Sequence, residues 1–389
     1  MFERIINRGA VTSLLAARII YSLNWYNVAA IFSVMALEFN ENVAGLGAIV
    51  GSFYLGVGLF QIPGGILAAR IGPRRVAIYG TAIASLGVIL TGFATQFYEI
   101  TLLRFMVGSG MALVFAPGIT LTAKYFRKGA EGLAIGVYNG AYYLGGAIGL
   151  FGWAVLGELV GWRSSLIAGG ILSLLSALAL LISLPRDELR EEFKLNYSAL
   201  RTVLTNRWLI LISVVLVGVD SGTALTGNFT VLYLEEALKA PVALAGVIAS
   251  LALFFGLVAS PLSGRVYDRI RDVPKLLFGL GVLLAISMAL ASIPAYYSIV
   301  LSTALVGFST SAALTVGFSA ARAVNRGEPE YETVAVSLAN SIALTAAFWS
   351  PLVFSALTVH FGYRIAWLLG SIYTLLLISP ILKGKKERR

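Results

Sequence analysis

Three charged side chains stand where charge is expensive. Arg18, Arg104 and Asp220 each lie inside a run of more than 20 mostly apolar residues. A charge at the centre of a bilayer costs about 2.5–3.5 kcal/mol, so such residues pair, line a wet cavity or serve a function. Asp220 is 13 residues into its run, near mid-depth. A carboxyl that binds and releases a proton as a cavity opens to either side is what proton coupling requires. Arg104 has two uses: attraction of an anion or pairing with Asp220, against plain packing on a neighbouring helix. Arg18 lies a turn or two inside its run, where a long side chain can reach back to the headgroups.

Polar and aromatic groups surround these charges. In "YSLNWYN", Tyr21 and Trp25 follow Arg18 at i+3 and i+7, on one helical face, with Asn24 and Asn27 beside them. In "DSGTALTGN", Thr223 and Gly227 share the face of Asp220. The fifth run offers Tyr138, Asn139 and Tyr142, and the eleventh offers Asn340 and Trp349. Buried amides and phenols suit the orientation of a small polar solute. The same asparagines also serve as glue between helices, and the same aromatics as packing or interfacial groups.

The elements that must carry these residues are long and apolar. Of 389 residues, 58% are hydrophobic and 12% are charged, with mean hydropathy +0.86. Soluble domains run at about 25% charged, so most of this surface faces something other than water. Apolar runs fall near 10–37, 43–69, 76–95, 98–122, 132–157 and 164–184, then near 208–234, 241–263, 273–294, 296–321, 332–358 and 363–382. Each is long enough to cross a bilayer as a helix, at about 20 residues per crossing. None alternates with period two, which excludes the strands of a membrane barrel. The expectation is an all-α membrane protein of twelve transmembrane helices. Residues 1–184 form one six-helix bundle, 185–207 a cytoplasmic linker and 208–389 a second bundle.

Orientation follows from lysine and arginine. With the N-terminus inside, 24 of the 29 basic residues fall in inner loops, the linker and the two ends. Both termini are then cytoplasmic, and the net charge of +10 reflects topology rather than binding to nucleic acid. The start "MFERIINRG" carries no signal-peptide cleavage pattern. The chain has no cysteine, so disulfide and thiolate chemistry are excluded, and a single histidine excludes a multi-histidine metal site.

The two halves resemble each other. "AKYFRKG" (123–129) returns as "ARAVNRG" (321–327), 198 residues later. "GWR" (161–163) returns as "GYR" (362–364), and "VAGLG" (43–47) as "VALAG" (242–246). The hairpin "GILAARIGPRR", with Gly65, Arg70, Gly72, Arg74 and Arg75, has a copy in "GRVYDRIRD", with Gly264, Asp268 and Arg269.

This architecture resembles the major facilitator superfamily of secondary transporters. The family's loop between helices two and three runs G-x-x-x-D-R-x-G-R-R; Gly65, Arg70, Gly72, Arg74 and Arg75 resemble it, and Ala69 stands at the acidic position. "RFMVGSG" is similar to the family's R-x-x-x-G-x-G element through Arg104, Gly108 and Gly110. The resemblance implies alternating access, with helices one, four, seven and ten lining the cavity. It also implies that the loop acid is a latch, set against the cytoplasmic end of a helix in the opposite half. A carboxylate at a helix N-terminus is worth about 0.3–1 kcal/mol. Ala69 cannot supply it, so the expected latch is Asp268, meeting the start of the fifth helix and Arg127 or Lys128.

No ATP-binding loop is present, so transport draws on a gradient. The expected activity is proton-coupled symport of a small organic or inorganic anion, because two basic candidates face one acid. The alternatives are export of drugs or amphipathic cations, with Asp220 holding the cation, and a non-transporting sensor or scaffold. The fifth run, "GVYNGAYYLGGAIG", lacks the Gly-Pro pair typical of drug/proton antiporters, which disfavours export. No catalysis, cofactor or metal is expected. The partners are a small solute, protons and the plasma-membrane lipid, and the chain is expected to be a monomer.

Overall fold

The computed structural model describes residues 5–127, 131–186, 205–270, 272–323 and 329–386, and nearly all of them are helical. Backbone polar groups have no water to bond in hydrocarbon, so each span satisfies them internally as a helix. The first half holds α1 (Arg8–Trp25), α2 (Asn27–Phe39), α3 (Val43–Ile71), α4 (Pro73–Thr91), α5 (Phe97–Lys124), α6 (Glu131–Val160) and α7 (Trp162–Ser183). The second holds α8 (Arg207–Leu238), α9 (Val242–Ile270), α10 (Val273–Leu290), α11 (Tyr296–Arg322), α12 (Pro329–Ala347) and α13 (Trp349–Ile378), followed by a 3-10 segment, Ser379–Lys386.

Eleven helical stretches among the described residues are long and apolar enough to cross a membrane. One of them, Ala335–Leu382, has 48 residues and holds two crossings, joined where Gly362 leaves helical geometry (φ 78°, ψ 167°). Counted so, the spans are the twelve expected. The first apolar run, by contrast, is two helices: α1 stops at Trp25 and α2 restarts at Asn27.

The chain divides into two compact units, Met1–Phe39 with Ser52–Lys194, and Asn40–Gly51 with Leu195–Arg389. The start of α3 therefore groups with the second unit. The central segment 187–204 lies outside the described residues.

Local chemistry repeats between the halves. Asn7 caps α1 by accepting from Ala10 N at 3.0 Å, and Asn206, 199 residues later, caps α8 by accepting from Leu209 N at 3.0 Å. Gly161 and Gly362 both take a left-handed conformation (φ 81° and 78°), which a side chain would strain. These are the glycines of the "GWR" and "GYR" pair. Gly72 also has positive φ (97°) and starts α4 ahead of Pro73. The second copy lacks this glycine. There, Asp272 starts α10 instead, accepting from Lys275 N at 3.3 Å and pairing with the Lys275 ammonium at 3.2 Å.

Glycine also sets how closely helices approach. A Cβ on Gly108 of α5 would strike the Phe53 backbone of α3, and one on Gly307 of α11 would strike the Ala252 backbone of α9. Both members of the second pair lie 199 residues after the first. Small residues at such crossings let backbones touch, which is how helices associate in lipid.

Candidate functional site

In the first unit, α6 lies against α1 along a stripe of Tyr138, Tyr142, Gly145, Gly149 and Trp153. The spacing of 4, 3, 4 and 4 keeps these residues on one helical face. A Cβ on Gly145 would overlap the Ile19 backbone, and one on Gly149 would lie 2.6 Å from Leu23 O. The Trp153 indole donates to Leu23 O at 2.8 Å. Bare glycines thus seat α6 directly on α1, and the two tyrosines one and two turns away come to rest over Arg18.

Arg18 is 4% exposed and sits in a cage of rings. Its guanidinium carbon lies 4.5 Å from the centroid of Tyr21, 4.7 Å from Tyr138, 4.7 Å from Tyr142 and 5.2 Å from Phe115. The Tyr21 and Tyr138 hydroxyls interact with the guanidinium. Nε and Nη1 are buried without a hydrogen-bond acceptor, and Arg18 forms no salt bridge among the described residues. Cation–π contacts hold a desolvated cation by up to about 2 kcal/mol per ring. They leave its charge unneutralised. The long side chain does not reach back to a membrane surface. It is turned inward and held.

Trp25 closes the cage on the side of the helix break. Its ring lies 5.7 Å from Tyr21, 5.9 Å from Tyr142, 4.6 Å from Phe53 and 5.9 Å from Tyr54, and its indole N–H has no acceptor. The Tyr142 hydroxyl is 3.4 Å from that of Tyr26, the residue at the break.

The break is braced by side chains. Arg104 of α5, 4% exposed, donates from Nη2 to Trp25 O at 3.2 Å and from Nη1 to Asn27 Oδ1 at 3.0 Å. Its guanidinium carbon stands 4.5 Å over Phe53. Asn27 donates to Asn24 Oδ1 at 3.2 Å, and Asn24 donates to Gly169 O of α7 at 3.1 Å. One polar chain thus runs from α5 through the break to α7. It satisfies a carbonyl at the break in a setting without water. Arg104 makes the packing contact that was set against its two expected uses, with Nε left without a partner, and Asn24 and Asn27 join it as glue between helices.

The remaining candidates are less convergent. Asp220 of α8 is 7% exposed, Oδ2 has no hydrogen-bond partner, and it forms no salt bridge among the described residues. Thr223 spends its hydroxyl on Val219 O of its own helix at 3.1 Å. Asn139 is half-buried on α6 and Asn340 is buried on α12. Trp349 departs from a buried binding role, since it is 61% exposed. It borders an apolar cavity of about 240 Å³ with Val353, Leu357, Leu369 and Tyr373.

In the hairpin motif, Gly65 meets no neighbour that would exclude a Cβ, and Arg70 and Arg75 are exposed. Arg74 instead donates to Leu184 O at 2.9 Å and Leu181 O at 2.6 Å, capping the C-terminal end of α7. A cation there suits the partial negative charge of a helix end. In the copy, Gly264 meets only Thr315, at 4.0 Å. The expected latch falls outside the described residues, because the side chains of Ala69, Lys128, Asp268 and Arg269 are not described.

Sequence reading missed Phe115, Gly118 and Gln61. Phe115 supplies the fourth ring. A Cβ on Gly118 would overlap the Tyr138 hydroxyl, so this glycine makes room for the cage. Gln61 of α3 is buried with both amide atoms unpartnered. A polar residue in an apolar run marked Gln61, but nothing marked Phe115 or Gly118, because their roles depend on the crossing of α5 with α6.

Comparison with known proteins agrees with this architecture. The family model described as Major Facilitator Superfamily matches residues 14–342. The probable sulfoacetate transporter of Cupriavidus necator is 32% identical over 149 residues, which is 38% of this chain and 34% of that protein. The 4-hydroxybenzoate transporter of Pseudomonas aeruginosa is 30% identical over 144 residues, 37% of this chain and 32% of that protein. The matched stretch thus spans about a third of the length of each of these relatives. A solved bacterial homologue of the human lysosomal transporter Spinster is 16% identical with TM-score 0.76, covering 97% of this chain and 96% of that one. The family and these relatives are transporters rather than enzymes. With two related helical halves and a model match over most of its length, this multi-pass membrane protein belongs to the Major Facilitator Superfamily.

Proposed function

We propose that this transporter carries a small organic anion by alternating access, in symport with protons. The observation that carries the reading is Arg18: a buried guanidinium held by four rings, with two nitrogens lacking an acceptor and no acid paired with it among the described residues. A bound anion supplies the missing counter-charge. The two relatives described above, named for sulfoacetate and 4-hydroxybenzoate, support an organic acid as cargo. Asp220 serves as the proton carrier, since a buried carboxyl without a partner is free to change its protonation state. The distribution of basic residues supports cytoplasmic termini in a plasma membrane, and the protein works as a monomer.

The test is uptake of labelled carboxylates into proteoliposomes under an imposed pH gradient. Wild type accumulates an organic anion, and Arg18→Gln lowers uptake by about 10- to 100-fold, the worth of a charge-assisted contact. Uptake unchanged in Arg18→Gln, or no gradient-driven uptake of any carboxylate, overturns the proposal. A second reading rests on the same unpartnered Asp220, which also fits a bound amphipathic cation awaiting export. Thermal stabilisation of the purified protein by lipophilic cations, and not by anions, selects that reading.

A further inference from the structure

The cage around Arg18 holds a second kind of donor without an acceptor among the described residues. Trp25 is 7% exposed, and its indole N–H has no hydrogen-bond partner. An indole N–H can only donate, and a buried one ordinarily finds an acceptor. Rotation does not relieve it, because four rings hold the indole. Phe53, Tyr54 and Tyr142 meet it edge-on at 4.6, 5.9 and 5.9 Å, and Tyr21 lies tilted at 5.7 Å. The nearby carboxamide oxygens are taken: Asn24 Oδ1 accepts from Asn27, and Asn27 Oδ1 accepts from Arg104 and the Val28 N–H. Ser22 is fully buried, and its hydroxyl is equally unpartnered.

Arg18, Ser22 and Trp25 follow at spacings of 4 and 3, on one face of α1. Tyr21 spans the two outer members, 4.5 Å from the Arg18 guanidinium carbon and 5.7 Å from the Trp25 ring. Tyr142 spans them again, at 4.7 and 5.9 Å. The Tyr21 and Tyr138 hydroxyls interact with the guanidinium, yet Nε and Nη1 keep no acceptor. At the helix break, Arg104 bonds Trp25 O and leaves its own Nε without a partner. The setting is thus rich in donors and cationic at both ends, with no acid paired to either arginine among the described residues. A lone carboxylate at Arg18 leaves the Trp25 N–H unsatisfied, seven residues or about 10 Å further along the helix. A buried donor without a partner is unfavourable, and a cargo with a second acceptor relieves it.

We propose that the Trp25 indole N–H is the second anchor of the cargo. The cargo is then a bifunctional organic anion, with a carboxylate at Arg18 and, across a short body, a hydrogen-bond acceptor at Trp25: a carbonyl, a hydroxyl or a second acid group. The proposal rests on the reading of Arg18 as the partner of the transported anion. Two-point contact fixes the orientation of the cargo. A site built to bond an acceptor also discriminates against the analogue that lacks it, because the site's own donor is then left unpaired.

The experiment is thermal-shift titration of purified wild type, Trp25→Phe and Arg18→Gln with two matched pairs of carboxylates. The pair 4-acetylbenzoate and 4-ethylbenzoate differs by one carbonyl oxygen on a similar frame, and so does the shorter pair levulinate and valerate. In wild type, the carbonyl member of at least one pair is expected to bind about tenfold more tightly than its partner. Trp25→Phe keeps an aromatic ring and removes the N–H, so the preference falls to near one. Loss of packing alone would weaken both members of a pair equally. Should Trp25→Phe fail to purify as a monodisperse protein, benzothienylalanine in place of Trp25 keeps the fused rings without the N–H. Arg18-dependent binding that shows no preference in wild type, or a preference unchanged once the N–H is removed, overturns the second anchor and leaves the anion site standing. Absence of Arg18-dependent binding for every one of these carboxylates overturns the anion site, and the second anchor with it.

Discussion

A buried arginine without an acid is held here by geometry that single residues decide. Tyr138 reaches Arg18 because Gly118 leaves space for its phenol. A Cβ at position 118 would also come within 2.6 Å of Tyr138 Cζ. Gly118→Ala therefore displaces a ring that is otherwise 4.7 Å from the guanidinium carbon. The expected result is a several-fold weaker substrate affinity in a protein that still folds. Adding Tyr138→Phe removes the nearer overlap and restores part of the loss, as a binding titration of the single and double variants would record. If Gly118→Ala binds like wild type, Tyr138 is not part of the binding cage. The same scale explains Arg74. Among the basic residues of its hairpin it has a structural use, bonding the last carbonyls of α7, while Arg70 and Arg75 remain exposed.

At the scale of elements, the first membrane crossing is two helices pinned at one joint. The joint places Arg18 and Tyr21 on one side and Asn27 on the other, and Arg104 ties it to α5. We therefore propose Arg104 as a positioning residue. Arg104→Gln removes charge-assisted bonds worth about 1.5–3 kcal/mol together, so Tm falls by about 3–8 °C. The accompanying prediction is that KM changes little while maximal transport rate falls, because the cage persists but the joint loosens. A large rise in KM with unchanged Tm would instead make Arg104 a substrate ligand. The α6 stripe shows a related logic. Its glycines fix the distance to α1, and its tyrosines occupy what that distance leaves.

At the scale of the molecule, the proposed transport couples a solute to a proton gradient. Asp220 is the buried, unpartnered carboxyl available for that coupling in the second unit. Asp220→Asn is expected to abolish accumulation driven by a pH gradient while preserving exchange of labelled for unlabelled substrate. Equal loss of both activities, or loss of neither, would remove the proton role from Asp220. Exchange and accumulation are separable because exchange needs no net proton movement.

Much of this was legible in the order of residues. Hydrocarbon forces long apolar runs into helices, so the twelve spans and their division into halves follow from composition and spacing. The repeated offset holds at the level of geometry, down to paired asparagine caps and paired left-handed glycines. The α1 face of Arg18, Tyr21 and Trp25 was likewise readable, because helical periodicity alone aligns them. Periodicity has no term for which helices meet, how closely, or where one breaks. Those depend on backbone approach at Gly145 and Gly149, on the room Gly118 leaves for the Tyr138 side chain, and on which side chain takes a freed carbonyl. The sequence by itself therefore determined a two-half helical membrane transporter and a short list of charges. Tertiary structure decided that Arg18 is caged by rings while Arg104 bonds a joint, and that neither meets an acid among the described residues. The reason is that a buried polar group is defined by its partners, and partners come from distant parts of the chain.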